Sequence, residues 1–384
     1  MGKVCVLHYS EIGLKGRNRP FFEKKLVENV KRVLRGILDV KIERLQGRLV
    51  FPIDNADSQI IMESIKHVFG VSWFAFASVS EPTVDSIKKT VLEEASKIVT
   101  RKDALKVEVK RADKSFPLTS IEVSKILGDI LVENLGVRIS LKKPSKKVYV
   151  EILKREAYVF TERIKGPGGL PVSSSGKVLS LLSGGIDSPV ASYLMMKRGC
   201  EVHYLHFHPF YDNSEAENSK IMEIVRKLLP YSGRTTVTFI PSYEFQMATV
   251  NIPAKYDLVL FRRFMFKVAE KVAETEGAKA LVTGESLAQV ASQTLDNMVA
   301  ISTGLKIPIF RPLIGYDKEE IIALANRIGT YGLSIKPYKD CCSIIARHPE
   351  TRAKPEFVIE LEEKMNMDSI VEKSLKLSSR VIVE

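Results

Sequence analysis

Residues 177–192 read KVLSLLSGGIDSPVAS. Val178, Leu179, Leu181 and Leu182 form a short apolar run, the pattern of a parallel strand covered on both faces. Ser183, Gly184 and Gly185 follow, and glycines let a backbone turn tightly and come close to a ligand. Asp187 or Ser188 can cap a helix there, and Pro189 suits a first helical turn, where no amide hydrogen is needed. Strand, glycine turn and helix start together present free amides, which favour an anion such as phosphate.

The stretch is not a Walker loop, which ends in Gly-Lys-Ser/Thr. Gly176-Lys177 precedes the strand instead of following it. The order Ser-Gly-Gly-x-Asp-Ser resembles the PP-loop of ATP pyrophosphatases, which cleave ATP between the α and β phosphates. An ordinary strand-to-helix turn would explain the glycines and serines but not Asp187 beside a phosphate nest. A carboxylate there suits a Mg²⁺ ion that neutralises pyrophosphate.

The length of 384 residues suits two or three domains, and 45% apolar content is enough for real cores. No apolar run reaches the roughly 18 residues of a membrane span. The start, MGKVCVLHYSEIGLKGR, lacks the apolar core and cleavage site of a signal peptide. Four cysteines without a C-x-x-C make neither a disulfide scaffold nor an obvious zinc or iron–sulfur site, so a cytoplasmic location is expected. The net charge of +12 is uneven. Residues 1–170 carry 32 Lys+Arg against 21 Asp+Glu, whereas residues 171–384 carry 26 against 25. A basic front and a neutral rear point to nucleic acid on the first and chemistry on the second, with solvated surface charge as the plain alternative.

Residues 1–75 read as a small α+β unit, with a helix over Arg19–Leu38 and a hairpin turning at Gln46-Gly47. Lys15 and Arg17 lie on a glycine-broken loop that could follow a phosphate backbone or simply be solvated. Residues 76–165 read as a second α+β unit. Its KRADKSFPLTS stretch holds Lys110, Arg111, Lys114 and Phe116, and Lys142 and Lys143 add charge near Pro144. Phe116 either stacks on a base or anchors the loop in the core. Residues 166–176, GPGGLPVSSSG, read as a linker by composition. From 177 to 384 strands alternate with helices, as in a doubly wound parallel sheet of the α/β class. Three strand ends, at Leu182-Ser183, His206-Phe207 and Thr283-Gly284, should meet where such sheets bind ligands. Backbone groups of Leu182 and Phe207 could contact adenine. Arg263, on the long helix Tyr256–Glu276, could reach phosphate or remain a surface charge.

GESLAQVASQT (284–294), FRPLIGYDKEEII (310–322) and KDCCSIIARHPETR (339–352) follow in order. With SGGIDSP and KRADKSFPLTS they resemble the tRNA 4-thiouridine synthetases (tRNA uracil 4-sulfurtransferases) along essentially the whole chain. The resemblance implies a ferredoxin-like N-terminal domain, a THUMP RNA-binding domain and a PP-loop ATP pyrophosphatase domain. It implies adenylation of a tRNA uridine, position 8, at O4, release of pyrophosphate, attack of sulfur at C4, and departure of AMP. By the same resemblance Leu181, Leu182, His206, Phe207, Arg263, Gly284 and Gln293 line an ATP site, with Ser183, Gly184, Gly185 and Ser188 around pyrophosphate. Asp187 acts there through Mg²⁺ or the nucleotide, and Lys318 serves adenylation. Gln293 could equally cap its own helix, and Lys318 could be a surface lysine. The resemblance also makes Cys342 the candidate sulfur carrier, an assignment blurred by the adjacent Cys341; Cys5 and Cys200 read as packing residues. Longer members end in a rhodanese domain that these 384 residues do not contain. Sulfur is therefore expected from a cysteine desulfurase, a separate rhodanese or sulfide, and a homodimer would let one subunit present tRNA to the other. The rival readings are a 2-thiouridine or lysidine type of enzyme, and a non-catalytic tRNA-binding protein.

Overall fold

The computed structural model describes residues 2–54, 56–249, 252–339, 341 and 349–384, in two compact units, Met1–Gly169 and Leu170–Glu384.

In the front unit nine strands form one sheet. Lys3–His8 pairs antiparallel with Arg48–Pro52 on one side and Trp73–Ser80 on the other. Trp73–Ser80 then pairs with Ala157–Phe160, which leads on through Lys146–Ile152 to Ala104–Arg111. The boundary expected at residue 75 therefore falls inside a strand that both lobes share. Alternation along that strand explains its place: Phe74 joins the apolar core under helices Arg19–Leu34 and Ser58–Ile65, while Ala75 and Ala77 face the other side of the sheet. The first helix ends four residues before the periodicity suggests, because Gly36 takes a φ of +79°. Thr119 and Glu122 form a capping box at helix Ser120–Leu135. Residues 166–176 are not a free linker. Gly166 and Gly168 donate to Ser72 and Val71 within the front unit, and Ser174 and Ser175 donate to Gly199 within the rear unit.

The rear unit has a six-stranded sheet in the order Ile309–Phe310, Leu281–Val282, Lys177–Leu181, Glu201–His208, Thr235–Pro241, Ser379–Val383. The first five strands are parallel and the last is antiparallel. Helix Asp257–Glu276 is buried over much of its circumference, because helices Leu295–Ser302, Pro355–Lys364 and Met367–Lys376 pack on it as well as the sheet. No described helix is long and apolar enough to cross a membrane.

Candidate active site

The turn after strand Lys177–Leu181 is held by hydroxyl groups. The Ser183 N–H donates to Ser188 Oγ (3.0 Å), whose own hydroxyl donates back to the Ser183 carbonyl (3.2 Å). Ser192 Oγ donates to the Ser188 carbonyl (2.8 Å), leaving it to accept from Ser180 Oγ (2.8 Å). Helix Asp187–Lys197 starts at Ile186 with no side-chain cap. The expected cap from Asp187 or Ser188 is absent because both side chains are engaged elsewhere. Without a side-chain cap among the described residues, the amides at this helix start suit an anionic ligand.

Asp187 joins three separated motifs. One carboxylate oxygen accepts from Lys318 Nζ at 2.6 Å and the other from Gln289 Nε2 at 2.9 Å. Lys318 is placed by its own neighbours: Asp317 and Glu320 form a capping box that starts helix Lys318–Ile328 at that lysine. A cation at a helix N-terminus opposes the macrodipole. Its position is compensated by Asp187. Gln289 follows Ala288, a non-glycine residue with φ +59°, the kind of backbone strain that surrounding contacts must maintain.

Gly284 shows how closely the strand ends meet. A Cβ there would lie 2.7 Å from Ser188 N and 2.8 Å from Asp187 C, both backbone atoms that cannot move aside. Gly284→Ala is expected to push the turn out of register and abolish measurable ATP binding by calorimetry, whereas Gly185→Ala, whose Cβ would meet only Ser183 Oγ at 3.4 Å, should bind more nearly normally. A cavity opens at this junction, lined by Leu181, Leu182, Ser183, Asp187, Ser188, Phe207, Gly284 and Gln293 among others. Gln293 Oε1 is buried without a hydrogen-bond partner among the described residues, an acceptor available to an amino group such as that of adenine. It does not cap a helix; Thr294 caps the one that follows. Leu182 offers less backbone than expected, since its N–H donates to Leu205 and its carbonyl accepts from His206.

Arg263 does not face this cavity. It is buried against Glu362 and donates to the carbonyls of Ala300 (2.8 Å) and Thr303 (2.9 Å). One residue is about 100° of helix, and that rotation puts Arg262 in the cavity wall instead. Arg262 and Arg311 both pair with Glu285, which is buried in the same wall. Burial would raise the Glu285 carboxyl, but the two guanidinium groups outweigh it and hold the group below the usual carboxylate range. Sequence reading missed Glu285, although it lies inside GESLAQ, because its partners are 23 and 26 residues away.

His206 stands behind the turn and is not part of the cavity lining. Its Nδ1–H donates to the Leu182 carbonyl (2.7 Å), so Nε2 accepts from the Tyr338 hydroxyl (2.8 Å). Burial pushes the imidazole down to about 3. It is neutral near pH 7 and holds the strand end without binding phosphate as a cation. Because the folded value is depressed, this group's contribution to stability is full above the unfolded value and falls as pH drops toward 3. Between pH 7 and 5 the loss should be about 2 kcal/mol. Urea titrations should show a correspondingly smaller pH slope in His206→Gln.

Cys341 is buried in the cavity wall, with Sγ 3.3 Å from Ser242 Oγ. Cys342 lies outside the described residues. Cys5 and Cys200 are buried, and burial raises both thiols, as suits packing residues. In the front unit Arg17, Lys110, Lys114, Lys142 and Lys143 are exposed and Lys15 is half-buried over the Phe22 ring. Phe116 is in the core under helix Ser120–Leu135 and is not available to stack on a base. Arg111 is half-buried and donates to the Phe116 carbonyl (2.9 Å), holding the loop that carries Lys114.

A parallel sheet with an uncapped helix start after Ser-Gly-Gly-x-Asp-Ser, and a lysine brought to that aspartate, defines a PP-loop nucleotide-binding protein. The family model described as thiamine biosynthesis protein (ThiI) matches residues 173–367, the ThiI ferredoxin-like domain residues 4–75, and the THUMP domain residues 81–162. The chain is 41% identical over 372 residues to the Probable tRNA sulfurtransferase of Brevibacillus brevis, covering 96% of this chain and 93% of that one. It is 40% identical over 375 residues to the protein of the same name from Thermoanaerobacter pseudethanolicus, covering 97% and 98%. A solved 4-thiouridine synthetase, crystallised with RNA and bound ATP, superposes with a TM-score of 0.90 at 34% identity, with full coverage of both chains. The chain belongs to the tRNA sulfurtransferase (ThiI) family.

Proposed function

We propose that this protein uses ATP to convert a uridine of tRNA, position 8, to 4-thiouridine. The meeting of Asp187 and Lys318 at the helix start carries the reading. The uridine O4 attacks the α-phosphorus of ATP and pyrophosphate leaves, so a poor leaving group at C4 becomes AMP. Lys318 and the amides at the uncapped start of helix Asp187–Lys197 stabilise the charge that grows on the phosphates, in a site that needs little rearrangement. Asp187, whose carboxylate is held by Lys318 and Gln289, would hold a Mg²⁺ ion bound with ATP, which would neutralise charge on the leaving pyrophosphate. The Gln293 acceptor and the apolar walls of Phe207 and Leu182 suit adenine. A persulfide on Cys342, charged by a cysteine desulfurase or separate rhodanese, then attacks C4 through its outer sulfur and expels AMP; a second thiol attacks the Cys342 sulfur of the resulting S–S bond, releasing 4-thiouridine and leaving a disulfide to be reduced by external thiol. The basic front unit, with Arg17, Lys110, Lys114, Lys142 and Lys143 exposed, holds tRNA through its backbone. These steps use groups found in the cytoplasm, and a homodimer is compatible with them.

Thionucleoside analysis of tRNA incubated with the protein, ATP and a defined persulfide source tests the proposal. 4-Thiouridine is expected. A 2-thiouridine or lysidine product would move the protein to another PP-loop activity, and unmodified tRNA with no pyrophosphate release would leave a tRNA-binding protein.

A further inference from the structure

Asp187 is approached from two stretches of chain that are bonded to each other. The Leu287 N–H donates to the Ile314 carbonyl (3.2 Å), and Ser286 Oγ donates to the Tyr316 carbonyl (2.9 Å). The loop that carries Gln289 is therefore fastened to the stretch that leads into Lys318. Within the loop the Ala288 N–H donates to the Gln293 carbonyl (2.8 Å), at the residue whose φ is +59°. These contacts set where the Gln289 side chain stands: half-buried, beside the Asp187 carboxylate, and not in the lining of the cavity assigned to ATP.

An ionised carboxylate accepts hydrogen bonds and cannot donate them. The Gln289 amide must therefore turn its NH₂ to Asp187, as it does at 2.9 Å, which fixes its carbonyl oxygen on the other edge of the amide. The side chain is thus an oriented acceptor next to the aspartate that meets Lys318 at 2.6 Å. Two near neighbours in the chain, Leu287 and Val290, are apolar and 48% and 51% exposed. A base drawn out of an RNA stack needs an apolar face and hydrogen-bond partners for its pairing edge. Residues 287–290 supply both. On that edge uracil has a single donor, N3–H, between the acceptors O2 and O4. Cytosine has an acceptor at N3 and an amino group in place of O4.

We infer that Gln289 is a specificity-determining residue that reads the target base, its Oε1 accepting the N3–H of uracil while Leu287 and Val290 lie against the ring. The inference rests on the reading under Proposed function, whose target base it orients. With N3 on Gln289, O4 is brought beside Asp187 and Lys318. Gln289 takes no proton; the one that N3 loses when O4 is adenylated passes to solvent. A cytosine would set its N3 lone pair against the amide oxygen, and a site built for a donor strongly rejects a group without one.

The test uses the full-length protein, ATP and two tRNAs that carry uridine or 3-deazauridine at the target position. 3-Deazauridine keeps an oxygen at C4 but has C–H in place of N3–H. Single-turnover pyrophosphate release gives the preference for uridine as a ratio of rates. Gln289→Ala should lower that ratio about tenfold, the worth of one lost hydrogen bond; the intrinsic reactivities of the two bases cancel when the two proteins are compared. Lys318 still holds Asp187 in the variant, so turnover stays readable, and KM for ATP should remain within about twofold of wild type. Gln289→Met, which keeps the length of the side chain, should show the same fall. Equal loss with both tRNAs would mean that Gln289 only steadies Asp187 and would overturn the inference, as would an unchanged ratio at full activity. Wild-type protein that releases no pyrophosphate with the uridine tRNA would instead remove the enzymatic reading itself.

Discussion

Asp187→Ala is expected to lower tRNA-dependent pyrophosphate release by about a hundred- to a thousandfold, the range seen when one preorganised group facing transition-state charge is removed. Asp187 joins the glycine turn to both the Gln289 loop and the Lys318 helix. Without it Lys318 loses the partner that aims it from a helix start, where a cation is otherwise disfavoured. Lys318→Met should have a similar effect, and the double variant should be little worse than either single one, because groups acting as a unit are not additive. Affinity for tRNA should be unchanged in all three, as the exposed lysines of the front unit are untouched. Filter binding alongside the pyrophosphate assay separates the two. Parallel loss of tRNA binding would mean that Asp187 supports the fold and not the chemistry.

The second large effect concerns stability. Glu285→Ala leaves Arg262 and Arg311 without their shared buried carboxylate. Breaking a buried pair in this way typically destabilises by 3–5 kcal/mol, about the order of a whole domain's margin. The rear unit should then unfold at markedly lower urea than wild type, and ATP should restore part of the difference by binding the folded form. Glu285→Gln, which keeps the shape and one acceptor oxygen, should fall between the two. An alanine variant with an unchanged urea midpoint would show that solvent replaces the carboxylate at that wall.

Much of this was legible before any coordinates. The turn at Ser183–Ser188 announces itself through local residue types, and local types govern local backbone. Lys318 and Asp187 were each legible, but their contact across 131 residues was not. Arg263 illustrates the limit. An arginine in an apolar helix signals either surface or site, and only the packing of Pro355–Lys364 against that helix decides that Arg263 goes to Glu362 and Arg262 to the cavity. Phe116 was left between the core and base stacking, since an aromatic in a basic loop carries no mark of which face the loop turns inward, and the packing under helix Ser120–Leu135 decides for the core. The antiparallel strand Ser379–Val383 escaped because it is short and half-exposed, and it is identified by its partner Thr235–Pro241 more than by its own pattern.

The single sheet of the front unit bears on how this protein can be cut. A fragment beginning after residue 75 would keep only part of Trp73–Ser80 and strip away Lys3–His8, its neighbour along six paired residues. The bared strand would offer its amides and carbonyls to any other chain, the usual start of aggregation. The basic front of the molecule should consequently be expressed as one piece through Gly169.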